Sequence, residues 1–318
     1  MSIITLREYA SDKTNFQSLR NFYEFARKYL DFTASDGLQA QIVAQKENTY
    51  RFFQYKKEAD FAITRPINSD LYYSADEFDD ALNSFSEILE VLRDRSVPED
   101  GLRPVIGKVI YTIQQSIGAS LDALPSGKSN MARKVNGDLF ERFIGLLVQS
   151  LDFECISGVV RIPVLDDSGT ELFKLSYQHD MILAVDGNLR AIGSVKTSSK
   201  DRIDKIFIDK FLYSKLTSTE LPHIAIFLND VQRKGTFPDY GISGTFLSGR
   251  FKGYTVKLNP LDGVYYCDIR PNMLSDRLLS EHIGTIDRFF YNALPELLKP
   301  LQKSLPSIEI GEKSKPAN

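Results

Sequence analysis

The sequence predicts an α/β fold in which helices flank one mixed central sheet, with a helical region on the N-terminal side. Between positions 12 and 118 the apolar residues recur mainly at i, i+3 and i+4, which is typical of amphipathic helices. After residue 136 the pattern changes to one helix, several strand-like apolar runs, a further helix and another strand. Helices and strands in this order favour one sheet with helices packed on it.

The N-terminal helices are predicted from two periodic segments, residues 15–32 and 74–95, which place Leu, Phe and Ile side chains on one face. Between them, residues 49–66 interleave aromatic and basic side chains. That pattern favours either an amphipathic core segment with exposed lysine ends or a DNA contact. The segment RSVPEDGLRP breaks the helical pattern. We therefore predict a helical region over 1–97, used for DNA contact or dimerisation, and a second domain over 98–318 that carries the chemistry.

The second domain opens with a helix over residues 136–153, for which Asn136 is the expected N-cap. A strand is predicted in each of four apolar runs, at residues 155–165, 173–185, 189–197 and 223–230. Asp-Gly-Asn at 186–188 separates two of these runs and is a hairpin turn signal. A helix over 201–218 precedes the fourth run.

Composition limits the classes of function. The chain has 39 Lys and Arg against 42 Asp and Glu, a formal net charge of -3, so a nucleic-acid partner would need a local basic cleft. Its 2 cysteines lie in apolar stretches and have no Cys or His at metal-ligand spacing, which favours reduced thiols. No stretch approaches about 18 apolar residues and no signal-peptide pattern is present, so we expect no membrane segment and a cytoplasmic location.

The clearest chemical signal lies in YQHDMILAVDGNLRAIGSVKT, residues 177–197. Asp180 lies on the first strand and Lys196 closes the second, with 15 residues between them that form the predicted hairpin. Because the strands of a hairpin pair, a carboxylate and an ammonium come together at one edge of the sheet. Ser194 lies two residues before Lys196, on the same face of its strand.

Two further acids fit the same edge. Glu141 is on the helix before the sheet, and Asp209 is on the helix after it, with 12 residues between Lys196 and Asp209. Carboxylate oxygens are suitable ligands for Mg²⁺, and an ammonium stabilises the charge that builds up on a phosphate during hydrolysis. We therefore take Asp180, Glu141 and Asp209 as the candidate Mg²⁺ site. With Lys196 and Ser194 they form the candidate catalytic set for phosphodiester hydrolysis.

This arrangement resembles type II restriction endonucleases of the PD-(D/E)XK superfamily, in the branch that recognises CCGG or CCNGG. In that branch an Asp is followed by S/T-x-K and then by an acid on the next helix, places that Asp180, Ser194-Val195-Lys196 and Asp209 hold here. The resemblance covers residues 137–210. It implies a restriction-endonuclease-like fold and Mg²⁺-dependent hydrolysis of both strands of double-stranded DNA at a palindromic site, leaving 5′ overhangs.

The same branch carries K-x-x-x-R-(D/E)-R behind its catalytic lysine, and this chain has Lys200, Asp201 and Arg202 at the last three places. Lys and Arg donate to guanine in the major groove, and an acid accepts from cytosine N4. The resemblance therefore implies that these three residues read C:G pairs. Three places depart from the branch: His179 stands where the branch often has Pro, Lys200 replaces an Arg and loses its bidentate geometry, and Asp209 replaces the commoner Glu.

Other polar residues near the predicted strand ends are candidates for contacts to the DNA backbone. They are Ser198, Ser199, Arg233, Lys234, Arg250 and Lys252. Arg250 and Lys252 lie in a stretch predicted to be loop-rich, where a solvated hairpin is the competing interpretation. Since a two-fold symmetric enzyme matches a palindromic site, we also expect a homodimer in which each subunit cuts one strand.

Two alternatives stay open from the residues alone. One is a nuclease of the same fold that acts in repair or recombination without reading bases. The other is a non-catalytic DNA-binding protein in which Asp180 and Lys196 form only a salt bridge. Cleavage of DNA in the presence of Mg²⁺ separates the enzymes from the binding protein, and the fragment ends separate the two enzymes.

Overall fold

The computed structural model of the protein describes residues 1–56, 63–200, 202–299 and 309–312. Its helices are α1 (Ile3–Ser11), α2 (Leu19–Ala34), α3 (Ala75–Arg93), α4 (Arg103–Asp122), α5 (Ser129–Ser150), α6 (Ile203–Thr217), α7 (Ser248–Lys257), α8 (Pro271–Ser275), α9 (Arg277–His282), α10 (Ile286–Arg288) and α11 (Leu294–Leu297). Short 3-10 turns lie at Lys13–Asn15 and Ser69–Leu71, and Phe289–Ala293 forms a π-helical turn. Within these ranges no helix is long and apolar enough to cross a membrane.

The strands are β1 (Leu38–Val43), β2 (Tyr50–Tyr55), β3 (Ile67–Asn68), β4 (Glu154–Leu165), β5 (Glu171–Val185), β6 (Asn188–Ser198), β7 (His223–Asn229), β8 (Val231–Lys234), β9 (Gly241–Gly244), β10 (Gly263–Tyr266), β11 (Ile283–Thr285) and β12 (Glu309–Glu312). In the described part of the chain, seven of them form the central sheet in the order β11-β10-β7-β6-β5-β4-β12. The pairs from β11 to β6 are parallel, and those from β6 to β12 are antiparallel. This mixed sheet with flanking helices confirms the predicted fold class.

Strand β7 shows why the sheet needs helices on both faces, since all of its residues are buried. Ile224 and Ile226 face the largest cluster of buried side chains, to which α5 and the N-terminal helices contribute. Ala225 and Phe227 face a second cluster that includes residues of α6 and α7. A parallel strand covered on both faces has a continuous apolar sequence, as IAIFL at 224–228 does.

The hairpin of β5 and β6 forms where the sequence predicts it. Val185 pairs with Asn188, and the turn between them consists of Asp186 and Gly187. Their φ angles are 51° and 71°, the left-handed conformation that Asp-Gly adopts in a two-residue hairpin turn. Helix α5, in contrast, begins at Ser129 rather than at Asn136. The Asn136 side chain is buried inside this helix and accepts a hydrogen bond from the Gln114 amide at 2.9 Å, so its prediction as an N-cap is wrong.

The N-terminal region is not mainly helical throughout, because β1, β2 and β3 form an antiparallel sheet of their own between residues 38 and 68. On β2, Tyr50 and Phe52 face one buried cluster while Phe53 and Tyr55 face another. A strand buried on both faces lacks the alternation of polar and apolar residues that would have revealed it. Residues 57–62, which belong to the basic and aromatic segment 49–66, lie outside the described part of the chain.

The predicted boundary at 97/98 does not separate two cores. The largest buried cluster contains Leu6 and Phe85 from one side of that boundary and Phe143 and Leu183 from the other. The N-terminal helices therefore share one buried cluster with the sheet, and they pack mainly against α4 and α5.

Segment 248–257 forms helix α7, so the expectation of a loop-rich stretch is wrong there. Phe251 and Thr255 are buried at i, i+4 spacing, which places them on one side of the helix. Two glycines in SGRFKGYTVK have a low intrinsic helix propensity and obscured this pattern, and packing overrides that propensity.

Candidate active site

The centre of the site is the Lys196 ammonium, which contacts two carboxylates. Its Nζ atom lies 2.5 Å from Oδ2 of Asp180 and 2.8 Å from Oε1 of Glu141. Lys196 comes from β6, Asp180 from β5, and Glu141 from α5, which covers this face of the sheet. The side chains are 28%, 10% and 15% exposed respectively, so the cluster is largely shielded but still reaches solvent.

The two strands separate at this cluster. Their last paired residues are Met181 and Gly193, after which β5 continues beside β4 and β6 continues beside β7. Beyond that pair, the Val195 amide donates a hydrogen bond of 3.0 Å to Oδ2 of Asp180. A side-chain carboxylate thus satisfies a main-chain donor at the point where the strands diverge, which fixes the carboxylate next to Lys196.

The charges in this cluster determine the state of Lys196. Burial alone lowers the pKa of its ammonium, but attraction and hydrogen bonds from Asp180 and Glu141 outweigh burial, so the pKa is raised. Lys196 therefore stays protonated at neutral pH, where it holds together two carboxylates that would otherwise repel each other.

Asp209 has a different partner. It lies on α6, and its Oδ2 atom is 2.9 Å from Nζ of Lys205. Burial and then the charge of Asp209 raise the pKa of Tyr177, while burial and then the charge of Lys205 lower the pKa of His179 to about 4. The charges of Asp209 and Lys205 therefore act on Tyr177 and His179 of β5, while Asp180, the next residue of the strand, contacts Lys196.

The donor set around Lys196 suits a hard divalent cation only in part. Asp180 and Glu141 offer carboxylate oxygens at one place, and Mg²⁺ is commonly held by one or two protein carboxylates together with water. Within the described ranges, no three acidic, histidine or cysteine side chains converge closely enough to hold a metal ion. The residues present therefore fit a two-carboxylate Mg²⁺ site, and Asp209 would have to leave Lys205 to join it. Ser194 is half-buried on β6, beside Ala225 of β7.

The candidate base-reading residues follow β6 at the same edge of the sheet. Lys200 is exposed, and its Nζ atom donates to Oε1 of Gln232 at 3.1 Å. Arg202 is exposed at the start of α6, and its amide donates to the Ser199 carbonyl at 3.1 Å. Asp201, which lies between them, is outside the described residues.

The residues predicted to contact the DNA backbone differ in how accessible their side chains are to a phosphate. The Ser198 hydroxyl accepts from the Lys200 amide at 3.2 Å, and Ser199 is only 2% exposed, which leaves little of its side chain for a phosphate. Arg233 and Lys234 are exposed on β8, where Arg233 donates to the Ile63 carbonyl at 3.4 Å.

Helix α7 supplies the last two candidates, and both are already paired with acids. Arg250 lies 3.2 Å from Asp204, and Lys252 lies 2.7 Å from Asp276. A phosphate would have to compete with a carboxylate for either cation.

Two buried acids also lie at this edge of the sheet, and neither is among the candidates from the sequence. Asp230 follows β7 and Asp268 follows β10, and they are 4% and 2% exposed. Burial raises the pKa of both, to about 6 for Asp230. Asp268 accepts hydrogen bonds from the Tyr50 hydroxyl at 2.8 Å and the Asn68 amide at 2.9 Å. An acid at the end of a buried apolar run, as in VYYCD, is the signal that could have identified Asp268.

No protein-family model matches the sequence, and no curated protein sequence matches it significantly. Among solved structures, the type IIP restriction endonuclease Kpn2I is similar, with a TM-score of 0.66 and 16% identity over 93% of this chain and 97% of that chain. The restriction endonuclease PspGI in complex with substrate DNA aligns with a TM-score of 0.39 and 11% identity, over 69% of this chain and 91% of that chain. The similarity to Kpn2I shows that this chain has a restriction-endonuclease-like fold.

Proposed function

We propose that the protein is a type II restriction endonuclease that cuts both strands of double-stranded DNA with the help of Mg²⁺. The single observation that carries this proposal is the contact of one lysine, Lys196, with two carboxylates where two strands of the sheet separate. The fold shared with Kpn2I supports it, since Kpn2I is described as a type IIP restriction endonuclease.

In this proposal Asp180 and Glu141 hold the cation, and Asp209 is a further ligand. Bound Mg²⁺ would polarise a phosphoryl oxygen and lower the pKa of a water molecule. Lys196, which stays protonated, donates hydrogen bonds to the phosphate or to the attacking water where negative charge develops. Ser194, two residues before Lys196 on β6, is a further member of the catalytic set. The shielding of this cluster strengthens these electrostatic interactions.

Recognition follows from the residues behind β6. Lys200, Asp201 and Arg202 read C:G pairs of a palindromic site containing CCGG or CCNGG, and cleavage leaves 5′ overhangs. Exposed Arg233 and Lys234 contact phosphates. Because a palindromic site is two-fold symmetric, the active form is a homodimer, acting in the cytoplasm of a prokaryotic cell.

The test is cleavage of unmodified phage DNA by the full-length protein with and without Mg²⁺, followed by sequencing of the fragment ends. Discrete fragments with one common end sequence are expected. Asp180→Asn should lower the rate about a hundredfold or more, because it removes a charged ligand without changing shape. Asp186→Asn, an exposed residue of the same hairpin whose turn also tolerates Asn, is the matched control and should cut normally.

Two outcomes would refute the proposal in different ways. A smear of random fragments would indicate a nuclease of this fold that does not read bases, as in repair or recombination. DNA binding without any Mg²⁺-dependent cutting would indicate a non-catalytic DNA-binding protein.

A further inference from the structure

Two connecting segments meet where β6 and β7 end, at the edge of the sheet that carries the candidate site. Ser198 pairs in register with Asn229, and the Ser199 amide donates to the Asn229 carbonyl at 3.4 Å. One segment continues to Lys200, and the other continues into the β8–β9 hairpin. The last residues of two parallel strands therefore fix the hairpin next to the residues that follow Lys196.

The β8–β9 hairpin is held in place by hydrogen bonds at its base and by packing against β2. The Thr245 amide and hydroxyl both donate to the Asp230 carbonyl, at 2.6 and 2.7 Å. Val231, the first residue of β8, is 6% exposed and packs with Phe52 of β2 in a separate buried cluster. Gln232, the next residue, is exposed on the opposite face of β8, so a fixed support presents its amide to solvent.

Both polar atoms of the Gln232 side-chain amide form hydrogen bonds. Its Oε1 atom accepts from Nζ of Lys200 at 3.1 Å, and its Nε2 atom donates to the hydroxyl of Ser243, its cross-strand partner, at 3.4 Å. The hydrogen bond to Gln232 restricts the Lys200 side chain, which would otherwise sample many rotamers. The Gln232 amide is neutral, so its pair with Lys200 keeps a net positive charge. The pairs that Arg250 and Lys252 form with carboxylates have no net charge.

The hydrogen-bond count at Lys200 fits one particular ligand. An ammonium has three donors, so two remain after the bond to Gln232. Guanine offers two neighbouring acceptors, O6 and N7, in the major groove. An arginine would match them through its planar fork, whereas a lysine needs its ammonium held in place by a second residue.

We propose that Gln232 is a specificity-determining positioning residue that acts as one unit with Lys200, aiming its ammonium at a single guanine. This inference rests on the proposed function, since it requires that the protein distinguishes DNA sequences. It extends the reading surface from the segment after β6 to the β8–β9 hairpin.

The experiment measures kcat/KM on duplexes that carry the recognition sequence or one changed base pair at each position in turn. Gln232→Ala should lose roughly tenfold in discrimination at one guanine position and keep discrimination elsewhere. Lys200→Ala should lose discrimination at that same position, and the double variant should be no worse than Lys200→Ala alone, since the two residues act together. Adding Lys200→Arg to Gln232→Ala should restore discrimination, because a planar guanidinium needs less orientation.

Gln41→Ala is the matched control. Gln41 is also an exposed strand glutamine that accepts from a cationic side chain, Arg51, at 3.2 Å, but it lies on β1. The Gln41→Ala variant should discriminate between base pairs as the wild type does. Thermal melting of every variant checks that a loss does not come from unfolding.

The inference is overturned if Gln232→Ala keeps full discrimination, if its loss is equal at all positions, or if the losses of the two single variants multiply in the double variant. If the wild type itself cuts DNA but prefers no sequence, the proposed function fails and the inference fails with it. These results are distinguishable, because only the last one is seen before any variant is made.

Discussion

Replacing Lys196 with Met tests whether the central cluster is both a structural ion pair and a cation site. Met keeps the length of the side chain but removes the ammonium that both Asp180 and Glu141 contact. Removing one partner of a buried ion pair costs roughly 3–5 kcal/mol. Since the Lys196 side chain is 28% exposed, water screens part of that cost, and we expect a loss of about 1.5–3 kcal/mol in the free energy of unfolding.

Urea denaturation at neutral pH, with and without Mg²⁺, measures this loss. Mg²⁺ should stabilise Lys196→Met more than the wild type, because a cation held by both carboxylates replaces the missing ammonium. Because the pKa of Lys196 is raised above its ordinary value of 10.5, its stabilising contribution is complete below that pH and is lost only as the ammonium deprotonates at higher pH. The difference between the two proteins should therefore be constant from pH 7 to about pH 9.

Lys13→Met is the control for the loss of an ion pair without a cation site. Lys13 lies 2.6 Å from Asp138 and its side chain is 41% exposed, so its loss should cost no more than about 1 kcal/mol and Mg²⁺ should not restore it. Equal stability of Lys196→Met and the wild type would contradict the structural argument. A stability loss that Mg²⁺ leaves unchanged would contradict the cation site, and DNA cleavage by Lys196→Met at the wild-type rate would contradict its catalytic role.

Three further predictions concern acids at the same edge of the sheet. Asp209→Asn should raise the Mg²⁺ concentration needed for half-maximal cleavage, while Asp204→Asn on the same helix should not; equal Mg²⁺ titration curves would argue against Asp209 as a ligand. The folded-state pKa of Asp230 is about 6, above its unfolded value, so its ionisation costs stability that grows as the pH rises from about 4 to 6. Asp230→Asn should therefore be about 2–3 kcal/mol more stable than the wild type at pH 8 and little different at pH 4 in urea denaturation, and the same difference at both pH values would refute this. Tyr50→Phe removes the 2.8 Å hydrogen bond to Asp268 and should cost about 1–3 kcal/mol by the same measurement; no change would mean that the Asn68 amide alone is enough to satisfy Asp268.

Local patterns in the chain predicted the half of the fold that carries the site. Four apolar runs became β4, β5, β6 and β7, and the Asp-Gly turn produced the hairpin that joins β5 to β6. These features depend on residues close in sequence, such as apolar runs of strand length and a turn that needs positive φ angles. The small N-terminal sheet escaped the same method because β2 is buried on both faces.

The proximity of Asp180 and Lys196 follows from local sequence alone, because a tight hairpin leaves paired strands little freedom in register. The more distant groups that join them depend on how the helices and strands pack. Glu141 reaches Lys196 because α5 packs on that face of the sheet, Gln232 reaches Lys200 because β6 and β7 end side by side, and Asp209 pairs with Lys205 beside the α6 face. Such contacts depend on how helices and strands pack over long sequence separations, which local hydrophobic patterns do not encode.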